Sequence, residues 1–201
     1  LDFFSYVPPG FLWFLAGIYA FFSGTSVLVV SRVLAFGIFV GMCLVSGLIL
    51  NNLRGFKGFW RSLWVVLLPG IVLAFLPLPA DKMLEIRPDN LAMLLVMLGM
   101  LLQIIALERS KKIQSLALNR WWFATGLFYG LSLLVLPKTL PQVGVALVVA
   151  LFSGRKSFGA LLSGMMLAFV PFGVWVFVQA HSFADLDTII YSLITLPLEV
   201  N

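Results

Sequence analysis

The sequence predicts an all-α fold: a polytopic transmembrane helical bundle of about six spans with one further interfacial or re-entrant helix. Three observations predict it. Of 201 residues, 62% are hydrophobic and only 10% charged, against about 45–50% and about 25% in soluble domains. A globule of this size has too little interior for that much apolar side chain, and the surplus would form surface patches larger than a soluble monomer carries. The 13 basic and 8 acidic residues leave uncharged runs at 3–31, 33–53, 62–80, 90–107, 121–137, 139–154 and 157–184, and a membrane span needs about 17–25 apolar residues. Positive charge gathers in alternate gaps between those runs: Arg54, Lys57 and Arg61, then Arg109, Lys111, Lys112 and Arg120, then Arg155 and Lys156.

Taken in order, residues 1–24 form an outer segment with a short helix, 25–180 hold six spans, and 181–201 form a second outer segment. Pro8-Pro9-Gly10 opens a helix over 9–22, with proline in its first turn. Its 14 residues reach about 21 Å against a bilayer core of about 30 Å, too short to cross. Ser23-Gly24 closes it before Thr25 or Ser26 caps the next helix, and Arg32 marks that helix's outer end. Pro77 and Pro79 end the third run, and Pro88 precedes Asp89 at an N-cap position. Pro171 is expected to kink the last span rather than end it, because lipid-facing backbone must stay paired. Gly37 with Gly41, Gly126 with Gly130, and Ala160 with Gly164 carry the small-x-x-x-small spacing that lets helix backbones approach closely.

The alternating positive gaps become cytoplasmic under the positive-inside rule. That side holds nine bases and one acid, Glu108, while the outer side holds four bases and seven acids, giving +8 and −3 of the net +5. Basic residues in short clusters between hydrophobic runs do not form the single basic face that nucleic acid requires, so no nucleic-acid partner is expected. Cys43 and His181 are the only cysteine and histidine. They exclude an intrachain disulfide and complete no zinc site or catalytic triad, and no metal ligands are assigned. The chain opens at Leu1 with no signal-peptide pattern, and an interior piece of a longer protein is expected.

Chemistry is thereby confined to carboxylates, lysine and arginine. Asp81 to Asn90 concentrates five charges before a span. It reads either as a solvated, capped helix start or as a place where Arg87 and Asp89 line a polar cavity opening outward. Lys138 is flanked by uncharged runs of 17 and 16 residues, about 24–26 Å of helix, so the Pro137-Lys138-Thr139-Leu140-Pro141 turn falls several ångströms short of the outer interface. Either the lysine snorkels to the surface or it neutralises an anionic group at depth, such as a lipid phosphate.

Asp2-Phe3-Phe4-Ser5-Tyr6-Val7-Pro8-Pro9-Gly10, followed by an aromatic-rich helix, Gly24 and Arg32, resembles the end of the first outer loop in polytopic membrane glycosyltransferases of the GT-C fold. The likeness is to the bacterial family-39 type, related to protein mannosyltransferases and the lipid A aminoarabinose transferase. Arg87-Pro88-Asp89-Asn90-Leu91-Ala92 is similar to that family's R-x-D element, and Gly130 to Lys138 to its "G-L-x-x-L-x-K-P" stretch. The tail from Asp185-Leu186-Asp187 to Pro197-Leu198-Glu199 resembles the outer segment after the seventh span.

The resemblance implies transfer of a sugar from a polyprenyl-phosphate donor to an acceptor on the outer face of a bacterial inner membrane, in cell-envelope assembly. It implies Lys138 and Arg87 as donor-phosphate contacts, Asp89 and Tyr6 as cavity-lining residues, and Asp2 as a second acidic position. The main catalytic Asp is expected upstream of Leu1, so the fragment alone is expected to be inactive. The cofactor is left open, a divalent metal in the full-length enzyme being one option. Partners are the polyprenyl-phosphate sugar and membrane lipid. The alternative is a membrane transporter with short, proline-interrupted helices around a charged central site.

Overall fold

A computed structural model describes residues 9–22, 24–54, 59–75, 87–110 and 116–179. Among them it holds seven α-helices and no strand: α1 (Pro9–Tyr19), α2 (Ser26–Arg54), α3 (Phe59–Ala74), α4 (Pro88–Ser110), α5 (Leu116–Val135), α6 (Leu140–Ser153) and α7 (Arg155–Gln179). A single 3-10 turn, Pro137–Thr139, joins α5 to α6. Three helices, α2, α4 and α7, are long and apolar enough to cross a membrane, which is the make-up of an integral helical membrane protein.

The expected six spans are corrected to these three. The other apolar helical stretches, Gly10–Tyr19, Ser62–Val72 and Pro137–Ser153, hold only 10–17 residues. In α5, Arg120 interrupts the apolar surface and leaves 121–135 beyond it, less than the shortest span of about 17 residues. An uncharged run overstates a helix because it also counts the flanking turns: the run 139–154 yields only the 14 residues of α6.

Helix starts and stops follow the local chemistry. α1 begins at Pro9, as expected, but ends at Tyr19, and its 11 residues reach about 16 Å. Gly24 takes a left-handed φ of 61° in the turn to α2, a conformation that costs glycine nothing. α4 begins at Pro88, so Asp89 lies in the first helical turn and not at the N-cap position expected for it. Proline suits that first place because it lacks the N–H that would be orphaned there. α7 runs through Pro171 without ending, and α3 likewise continues through Pro69.

Lipid offers apolar helix faces no hydrophobic reason to associate, so close contact between small residues carries the packing. A methyl group added at Gly126 would meet the Leu161 carbonyl, one at Gly164 the Phe123 carbonyl, and one at Gly130 would lie 2.7 Å from the Ala168 Cβ. These contacts set α5 and α7 parallel and in register. α4 runs antiparallel to α5, with Gly99 about 3.1 Å from the Tyr129 ring for an added methyl and Arg109 4.6 Å from the Trp121 ring centroid. α2 runs parallel to α4, Gly41 facing the Leu94 side chain. The expected Gly37–Gly41 pair is only half used, since nothing lies near Gly37, whereas Gly47, outside any such motif, meets the Val66 backbone.

Two cores result. Val96, Ala106, Trp122, Tyr129, Val143, Ala146, Ala150, Leu161 and Met165 join α4, α5, α6 and α7. Phe11, Ile38, Met42, Leu91, Ala92 and Val135 join the starts of α1 and α4 to the end of α5 and the middle of α2. α1 doubles back along α2, with the Tyr19 hydroxyl 2.5 Å from the Ser31 hydroxyl.

The contact register gives the height of each helix end at 1.5 Å per residue. At one end the helices finish within about 6 Å of one another: Arg120 and Arg155 each stand six residues before the Gly126–Leu161 contact, α5 begins four residues earlier still, and Arg109 reaches Trp121. At the other they do not. Ser26 is 15 residues before Gly41 but Pro88 only six before Leu94, so α2 overtops α4 by about 13 Å. Val135 is six residues past Tyr129 while Pro88 is eleven before Gly99, so α5 stops about 8 Å short of the start of α4. α7 continues 11 residues past Ala168, and α5 only five past Gly130, leaving α7 about 9 Å taller. The Pro137–Thr139 corner thus occupies a step between taller helices.

Candidate functional site

The stepped end gathers three stretches far apart in sequence: the start of α1, the Arg87–Asp89 start of α4, and the Lys138 corner. Their neighbours Phe11, Leu91, Ala92 and Val135 share one buried cluster. A methyl at Gly10 would lie 2.6 Å from the Leu134 carbonyl, so glycine is what lets α1 seat on the end of α5.

Lys138 is exposed in the 3-10 turn. The turn is firmly built beneath it. The Thr139 N–H donates to the Leu136 carbonyl at 3.1 Å, and the Thr139 hydroxyl donates to the same oxygen at 2.9 Å. The Ser132 hydroxyl, fully buried, donates to the Tyr129 carbonyl at 2.7 Å and stands 3.3 Å from the Thr139 hydroxyl. Pro137 fixes its own φ and supplies no donor. The corner is a hydrogen-bonded pedestal for Lys138.

Below it a buried polar chain ties three helices. Tyr129 donates its hydroxyl proton to Gln103 Oε1 at 3.0 Å, and Gln103 Nε2 donates to the Ala146 carbonyl at 3.3 Å. Sequence reasoning missed this chain. Gln103 carried the only visible signal, a long polar amide deep in the uncharged run 90–107; its partner lies 26 residues away.

Arg87 and Asp89 form an exposed pair, Nη2 to Oδ2 3.5 Å, with side chains 47% and 52% accessible. At that separation and exposure the attraction is worth at most about 1 kcal/mol. Asp89 also lies where the positive end of the α4 dipole favours a carboxylate. Asp2 and Tyr6 lie outside the described residues, as do Asp81, Lys82, Glu85, His181, Asp185, Asp187 and Glu199. Among the described residues no group of three or more His, Cys, Asp and Glu side chains is placed to hold a metal.

Every described charge whose side chain is placed lies towards one end or the other. Arg54, Glu108, Arg109, Arg120, Arg155 and Lys156 belong to the flush end, and Arg32, Arg87, Asp89 and Lys138 to the stepped one. Along α4 the interval from Asp89 to Glu108 is 19 residues, about 28 Å, close to the thickness of a hydrocarbon core. An ammonium, a guanidinium and a carboxylate at one rim of such a belt can bind a phosphate and place a proton acceptor near it.

Comparison of the chain with protein-family models, curated proteins and solved structures finds no match in any of the three.

Proposed function

We propose that the chain is the membrane part of a GT-C-type glycosyltransferase that uses a polyprenyl-phosphate sugar donor at its stepped end. The observation that carries this reading is convergence. The Pro9-Gly10 helix start, the Arg-Pro-Asp start of α4 and the Leu-Pro-Lys corner all adjoin one buried cluster, and the lysine stands on the shortest helix pair, recessed between taller walls. A lipid-borne phosphate arrives at that depth by lateral diffusion, and cations there would stabilise the departing phosphate as charge develops on it. The stepped end faces outward in a bacterial inner membrane, and the flush end, rich in arginine and lysine, faces the cytoplasm.

The resemblance assigns the roles. Lys138 and Arg87 hold the donor phosphate, and Asp89 with Tyr6 lines the acceptor side. Asp2 supports a main catalytic Asp carried upstream of Leu1. The test uses the full-length protein in proteoliposomes with a radiolabelled polyprenyl-phosphate sugar and a membrane extract as acceptor. Labelled product should form, and Asp89→Asn, which keeps shape but removes charge, should lower kcat at least tenfold with normal expression. Failure to form product with any polyprenyl-phosphate sugar, together with uptake of a soluble solute, would replace the enzyme with a transporter.

A further inference from the structure

The flush end carries a feature that the donor site does not use. Arg109 closes α4, Arg120 stands five residues into α5, and Arg155 and Lys156 are the first two residues of α7. All four are exposed, and among the described residues none of them makes an ion pair. Glu108 is the only described acid at that end. α5 and α7 have no acid in their first turns, although the orphan N–H groups and dipole of a helix start favour negative charge there. Instead Arg155 and Lys156 stand on the positive potential of the start of α7, an arrangement that calls for an external anion. Beneath them the fully buried Trp122 keeps an indole N–H without a hydrogen-bond partner, and Asn51 Oδ1, near the end of α2, is likewise unsatisfied.

We propose that this collar binds the phosphates of anionic phospholipids at the membrane surface. Height selects the ligand. The interval from Asp89 to Glu108 across the uncharged belt, 19 residues or about 28 Å, ends at the collar, which therefore lies in a headgroup plane. Arg120 and Arg155 stand at equal distance from the Gly126–Leu161 contact, so two cations on touching helices share one level. The Arg109 guanidinium carbon lies over the Trp121 ring, 4.6 Å from its centroid, which holds a third cation at the start of α5. Four exposed cations make an open collar rather than an enclosed cage. That suits a headgroup held at high local concentration by the bilayer, not a free anion.

The experiment uses the purified chain, equilibrated with vesicles of phosphatidylglycerol and phosphatidylcholine in equal parts. Retained lipid is counted by native mass spectrometry after mild detergent extraction. Wild type should retain phosphatidylglycerol selectively. Arg120→Gln, Arg155→Gln and Lys156→Gln should each lower that selectivity about fivefold, the worth of one basic residue near an anionic surface. High salt should abolish it, and Arg32→Gln, at the opposite end, should leave it unchanged. Unaltered selectivity in all three variants, or an equal loss in Arg32→Gln, overturns the proposal. So does displacement of the lipid by inorganic phosphate, which would mark a small-anion site.

Discussion

The two ends of the bundle differ in sign and in relief. At one, the helices finish within about 6 Å of one another and the described side-chain charges are five cations and one acid. At the other, α2 and α7 rise past α4 and α5, and Arg32, Arg87 and Lys138 share the rim with Asp89. A basic end with little relief suits a flat anionic surface. A stepped end of mixed sign leaves cations recessed beside a carboxylate, where a ligand can be held from several sides. The difference arises inside the bundle: glycine contacts fix the α5–α7 register, and a 14-residue α6 is too short to bring the corner level with its neighbours.

The largest effect breaks or sharpens the comparison outright. In a Cys43→Ala background, Asp89→Cys should react with a membrane-impermeant thiol reagent added to intact cells, and Lys156→Cys only after permeabilisation. Labelling of both from the same side would dissolve the distinction between the ends. Next, Gly126→Val should destabilise by about 1–3 kcal/mol or more, because the added atoms meet the Leu161 backbone, which cannot turn aside. Thermal unfolding in detergent reads this, and Gly37→Ala, with nothing near it, serves as the near-neutral contrast in the same assay. Tyr129→Phe should cost less, about 0.6 kcal/mol and at most about 1.7, as membrane-buried hydrogen bonds do. Because it removes the donor to Gln103 Oε1, it should also loosen the α4–α5 contact in hydrogen exchange, without moving the sidedness of either end.

The helices themselves were legible in the sequence. The uncharged runs 33–53, 90–107 and 157–184 became α2, α4 and α7, because charge is what lipid excludes most strongly and so marks span ends. Pro9 read correctly as a helix start, whereas Pro88, expected ahead of an Asp89 cap, is itself the first residue of α4 and leaves Asp89 one step inside. Crossing was not legible for the shorter runs, since a run of uncharged residues does not say where its helix stops. Nor was packing. Gly37 and Gly126 have the same spacing to a second glycine, and only the latter meets another backbone; the partner helix decides, and it lies 35 residues further along the chain at Leu161. Of the candidate site, Arg87, Asp89 and Lys138 were found as charges beside spans. The Gln103–Tyr129 and Ser132–Thr139 supports were not, because hydroxyls and amides within apolar runs look alike until the helices are brought together.

The central claim is that a lipid-linked phosphate belongs to the stepped end and is held there by Lys138. Donor affinity of the full-length protein in detergent, measured side by side for Lys138→Gln and Arg54→Gln, tests it most directly, because each variant removes one positive charge from a different end. Lys138→Gln should weaken binding of the polyprenyl-phosphate sugar at least tenfold, about 1.4 kcal/mol, with Lys138→Arg intermediate because it keeps the charge but not the point geometry. Arg54→Gln should bind as wild type does. Equal affinities for Lys138→Gln and wild type, or equal losses in both variants, would contradict the account.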